Sequence, residues 1–94
     1  MKRLPADRVL ATITDVRKCP LVSVEWVDAC STHGWYTVAE ARKEAETIKM
    51  RTVGFLVRRD REQVAVAQTI SKHGRVSEVW SIPTPWVTKV RRLA

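Results

Sequence analysis

Arg51-Thr52-Val53-Gly54-Phe55-Leu56-Val57-Arg58-Arg59-Asp60-Arg61-Glu62-Gln63-Val64-Ala65-Val66-Ala67-Gln68-Thr69-Ile70 holds two apolar runs joined by four charged residues. In the first run Val53, Phe55 and Val57 alternate with Thr52, Gly54, Leu56 and Arg58, which is the side-chain period of a β-strand. The second run is rich in β-branched and small apolar residues, so the pair reads as a hairpin with its turn at Arg59-Asp60-Arg61-Glu62. Gly54, inside a strand, marks a bend or a close approach of two backbones.

The pattern continues outward in both directions. Ser71-Lys72-His73-Gly74-Arg75 has the chemistry of a turn, and Val76 to Ile82 follows as a further strand with Val76, Trp80 and Ile82 on one face. Together these runs form an antiparallel meander, ended by Pro83 and Pro85. Trp86, Val90 and Leu93 then recur at helical spacing behind Pro85; a single helical turn leading into a last short strand is the competing reading. Upstream, Leu21 to Asp28 alternates Val22, Val24 and Trp26 against Ser23 and Glu25, a first strand. Between it and the hairpin, Ser31-Thr32-His33-Gly34 is a turn, and Thr37 stands three residues before Glu40 as a capping box. With Val38, Ala41, Ala45 and Ile48 at helical spacing, this predicts a short surface helix over residues 38–47. Residues 1–20 form a basic N-terminal arm or edge element in which Val9 to Thr14 reads equally as strand or helix.

The 94 residues are expected to be one domain, with a β-rich core over 21–94. The expected fold is mainly β with a short helix in the loop after the first strand, as a small bent antiparallel sheet or SH3-like barrel. With 45% hydrophobic and 29% charged residues the composition is that of a globular protein. Two cysteines, Cys19 and Cys30, are too few for a disulfide scaffold, and the opening residues carry no apolar leader, so a reducing, cytoplasmic setting is expected. No apolar run reaches the ~18 residues that a membrane-spanning helix needs.

Catalysis is not expected. Both histidines, His33 and His73, precede glycine in turns and read as turn residues that tolerate unusual backbone angles rather than as catalytic bases, and the acids mostly sit beside Arg or Lys. No phosphate-binding glycine loop or metalloprotease motif occurs. Cys30 and His33 are spaced as a half-site for zinc, but a second pair would have to come from Cys19 and His73, so no metal or other cofactor is expected.

What stands out is charge. Seventeen Lys and Arg against ten Asp and Glu give +7, which favours an anionic partner: a nucleotide, a nucleic acid or an acidic protein. The cations cluster at Arg58, Arg59 and Arg61 in one hairpin turn, at Lys72 and Arg75 in the next, and at Lys89, Arg91 and Arg92 near the end. Lys49 and Arg51 enter the second strand where they can meet the 72–75 turn. Trp35 and Tyr36 end a loop instead of continuing a strand, so they are candidates to stack on a base while Lys49, Arg51, Arg58, Arg59, Arg61, Lys72 and Arg75 bind phosphate. Trp26 and Trp80, on apolar strand faces, are expected in the core, with Trp86 packing the closing element.

The succession Val24-Glu25-Trp26-Val27-Asp28-Ala29, Gly34-Trp35, Glu40-Ala41, Thr52-Val53-Gly54, Ile82-Pro83 and Trp86-Val87 resembles a group of small bacteriophage proteins without assigned function. The likeness covers residues 21–93. It implies a phage origin, and with it a job on a host enzyme or a host defence system. On that footing the expectation is a non-enzymatic binding protein that sequesters a nucleotide, such as a cyclic-oligonucleotide immune signal, in a pocket between subunits of a homo-oligomer. A nucleic-acid-binding barrel and an inhibitor docking on an acidic face of a host enzyme are the alternatives.

Overall fold

The computed structural model describes residues 3–94; of the arm expected over 1–20, Met1 and Lys2 lie outside the described residues. Five strands, β1 (Leu21–Asp28), β2 (Ile48–Arg59), β3 (Gln63–Ile70), β4 (Val76–Pro83) and β5 (Val87–Arg92), form one antiparallel sheet in the order β4-β3-β2-β1-β5. β4 and β5 are its two edges and do not pair, so the bent sheet is open rather than a closed barrel. Two short helices complete the chain, α1 (Asp7–Leu10) and α2 (Val38–Glu44), with 3-10 turns at Val16–Lys18 and Thr84–Trp86. The closing element is thus a single turn followed by a strand, and the Trp86–Leu93 periodicity does not make a helix. Pro85 sits inside that turn, where its missing N–H has no ladder to serve.

The bend lies in β2. Its residues Ile48 to Phe55 pair with β1, whereas Phe55 to Arg59 pair with β3, so the strand passes from one partner to the next at Gly54 and Phe55. Gly54 is there because no side chain fits: a Cβ would stand 2.8 Å from the Ala67 carbonyl oxygen. A register shift between Leu56 and Arg58 adds a bulge and with it more twist.

The concave face buries Val22, Val24, Trp26, Leu56, Val64, Val66 and Ile82, and Leu10 of α1 closes the cluster, with Leu4, Ile13, Val87 and Val90 packed around it. The segment after residue 3 therefore docks on the core instead of standing out as an arm, and its Val9–Thr14 stretch begins as a helical turn. Trp26 is buried and its Nε1 donates to Thr52 Oγ1 at 3.0 Å, which satisfies both groups inside the core. Trp80 is different: although its ring lies 6.5 Å from that of Trp26, it is 46% exposed, because β4 is an edge strand with no neighbour to cover it. Its Nε1 donates to Gln68 Oε1 at 3.0 Å. Cys19 is buried, whereas Cys30 is exposed in the loop after β1.

Candidate anion-binding face

Alternation along β1 puts Ser23, Glu25 and Val27 on the convex face, opposite the core residues. Cross-strand register then decides their company. Glu25 faces Arg51 on one side and Lys89 on the other; Val27 faces Lys49, and Ser23 faces Arg91. Four cations thus surround a single carboxylate over three adjacent strands, a width of about 10 Å at the usual strand spacing. Arg51 Nη2 donates to Glu25 Oε1 at 3.0 Å. The Glu25 carboxyl is held below its ordinary value by that hydrogen bond first, and further by the charges of Arg51, Lys89 and Arg91. The field that depresses it is the field an anion would meet.

A bulge shapes this face. The β1–β5 register shifts between Glu25 and Trp26, leaving Thr88 as the extra residue, and Thr88 Oγ1 donates to the Glu25 carbonyl at 3.1 Å. Beside it lies an open hollow of about 600 Å³ lined by Glu25, Trp26, Val27, Lys49, Met50, Arg51 and Thr88. Ser23, 3% exposed in the same file as Glu25, has a hydroxyl oxygen with no hydrogen-bond partner, an unmet donor of the kind buried sites seldom keep.

Past β5 the surface turns around the edge of the sheet to the core side, where Arg59 is the register partner of the core residue Val64. Arg59 and Arg61 line a second hollow there with Thr88, Lys89 and the carboxylates Asp7 and Asp60, and Arg59, Lys89, Arg91 and Arg92 line a third with Arg3. The β2–β3 turn is fixed next to β5 because Thr84 ties it down: its N–H donates to the Glu62 carbonyl at 3.0 Å and its Oγ1 to the Asp60 carbonyl at 2.7 Å. Among the described residues the ion pairs engage Arg17, Arg51 and Arg58; Lys49, Arg59, Arg61, Lys89 and Arg91 carry no carboxylate within 4 Å. The result is an open stripe from Lys49 and Arg51 across Lys89 and Arg91 to Arg59 and Arg61.

The expected site residues fall into four groups. Lys49, Arg51, Arg59 and Arg61 join the stripe. Arg58 is neutralised in its own turn by Asp60 and Glu62. Lys72 and Arg75 lie in the β3–β4 turn, on the far side of β2 from β1 and β5. Trp35 and Tyr36 stand in the loop beyond the Asp28–Ile48 end of the β1–β2 ladder, whereas Arg58, Arg59 and Arg61 follow the other end of β2, so one chain does not bring them together. Lys89 and Arg91 were not singled out as site residues from the sequence; the signal available was their two-residue spacing on a terminal strand, which puts both on one face.

The Cys19 thiol is pushed up by burial, and then by Asp15, away from the thiolate that would be reactive. Among the described residues no three of His, Cys, Asp and Glu gather as a metal site. No helix of the described residues is long and apolar enough to cross a membrane. Compared with protein-family models, curated proteins and solved structures, the chain gives no match.

Proposed function

We propose that this chain is a non-enzymatic binding protein for a phosphate-bearing ligand, and that the ligand is a nucleic-acid strand lying along the stripe from Lys49 to Arg61. The observation that carries this is the openness of the basic surface: cations are spread over three strands and a turn instead of converging in a closed cavity. A polymer with a charge at every residue uses such a track, each neutralised phosphate releasing counterions. Capture of one nucleotide or cyclic oligonucleotide, with Trp35 and Tyr36 stacking beside Arg58, Arg59 and Arg61, has less support, because those groups stand at opposite ends of β2. A phage counter-defence role remains compatible with either ligand.

Titration of a labelled single-stranded oligonucleotide at several salt concentrations tests the reading. Affinity is expected to fall steeply with salt, and Lys89→Gln and Arg91→Gln each to lower the slope by about 1. Lys72→Gln, which removes an equal charge in the β3–β4 turn on the far side of β2 from the stripe, leaves the slope close to that of the parent. Equal losses at all three positions would reduce the stripe to non-specific charge and refute it.

A further inference from the structure

Every residue from 29 to 51 is exposed, and the stretch from Ala29 to Thr47 is an arm on a closed base: Asp28 and Ile48, where it leaves and returns, are direct partners in the β1–β2 ladder. The molecule is long in consequence, 53 Å by 26 Å by 22 Å, with a radius of gyration of 16.8 Å where a compact domain of this length has about 13 Å. The arm nevertheless has local structure. Thr37 and Glu40 close a reciprocal capping box on α2, and the Tyr36 ring lies 3.6 Å from where a Gly34 Cβ would be, its hydroxyl donating to the His33 carbonyl at 3.1 Å. This arrangement projects Trp35, which is fully exposed, and leaves Val38 67% exposed. Seven helical residues are well short of the ~12–15 at which a helix holds itself in water, so α2 is built to be covered.

We infer that the arm docks on a second copy of this chain, along β4. Charge selects the partner. Arg42 and Lys43 against Glu40, Glu44 and Glu46 leave the arm at −1, so the body carries +8 of the net +7. Three glutamates repel a phosphate polymer and are attracted to another body. On that body β4 is an unpaired edge with Val76, Val79 and Trp80 exposed; its one charged residue, Glu78, accepts from Thr69 Oγ1 at 3.2 Å, and Lys72 and Arg75 in the turn before it leave this edge net positive. An apolar centre with a basic rim thus meets an apolar centre, Trp35, Tyr36 and Val38, with an acidic rim. Two copies about a two-fold axis exchange arms, so that each contact occurs twice. The nineteen residues of one arm and the eight of one β4 come to the ~20–30 residues a side of a stable interface. This does not rest on the ligand reading, and it gives Lys72 and Arg75 an acidic protein surface to meet.

The base of the arm supplies the experiment. Replacing residues 29–47 by Asn-Gly joins the paired Asp28 and Ile48 through a two-residue hairpin turn. In analytical ultracentrifugation the full chain is expected at twice 10.7 kDa, and the shortened chain as a monomer that still unfolds in one cooperative urea transition, since the arm adds no core residue, with a midpoint that no longer depends on protein concentration. In the full chain Trp35→Ala and Val79→Lys should each weaken the dimer at least about tenfold, as loss of an interface anchor does. A full chain that stays monomeric at every concentration, or a shortened chain that still dimerises, overturns the inference. So does a Trp35→Ala chain that loses oligonucleotide affinity with its mass unaltered, which would make the arm a nucleic-acid contact.

Discussion

Gly54→Ala sets two opposed effects against each other at the corner of β2, and their sizes fix the sign. The Gly54 backbone does not have positive φ, so alanine adopts it without strain. Restricting the unfolded chain would then stabilise the fold by about 0.4–1 kcal/mol. Against this, the new methyl would stand 2.8 Å from the Ala67 carbonyl oxygen, 3.2 Å from its carbon and 3.1 Å from Val66 Cβ, all inside the ~3.5 Å at which carbon contacts become attractive. Two of those three atoms are backbone of the paired strand and have no rotamer to swing into. Separating β2 from β3 where β2 changes partner costs about 1–3 kcal/mol, as overpacking does. The net expectation is a loss of about 1–2 kcal/mol, or roughly 5–15 °C in Tm for a domain of this size. Thermal unfolding by circular dichroism and the urea midpoint by tryptophan fluorescence both read it. An unchanged or raised Tm would refute the account, because it would mean that the two strands give way freely at the bend.

Thr52→Val removes the acceptor of Trp26 Nε1 and leaves an indole N–H unpaired in the core, so a loss of about 1–3 kcal/mol is expected in urea unfolding, with Thr52→Ser losing less. Asp60 gives a pH dependence. Its carboxyl is lowered to about 2, first by the Arg58 guanidinium, then by the Gln63 and Glu62 backbone N–H groups. Because the folded value lies below the unfolded one, the stabilisation is complete above about pH 4–5 and drains away as pH falls toward 2. Urea midpoints measured from pH 7 to pH 2 should decline across that window, and less steeply in Asp60→Asn; the lowered Asp15 and Glu25 carboxyls keep some decline in the variant.

What the sequence made legible was local. The 51–70 hairpin, the Thr37–Glu40 capping box and the Gly54 corner depend on neighbours a few residues apart, and all are found where the pattern puts them. Ile48 fits the spacing of the preceding helix as well as that of the following strand; α2 in fact ends at Glu44 and β2 takes Ile48 to Met50. The fates of Trp26 and Trp80 illustrate the limit. Both lie on apolar strand faces, but strand order makes β1 interior and β4 an edge, and alternation does not encode strand order. The candidate site was half visible for the same reason. Lys49 and Arg51 could be read as entering a strand, whereas the setting of Lys89 and Arg91 around Glu25 exists only through a register linking residues more than sixty apart.

That register has a bearing on how the chain acquires its shape. Val22 sits in the ladder opposite Arg92, so one side of the first strand stays unmated until the last strand has been synthesised. Sheets closed by such distant pairings fold slowly, and until they close they offer bare strand edges to other nascent chains. For this protein the meander of β2, β3 and β4 can assemble early from adjacent segments. The docking of β5 is then the step that commits the molecule, and damage to residues 87–92 would show first as lost yield of folded protein, before any change in binding is measured.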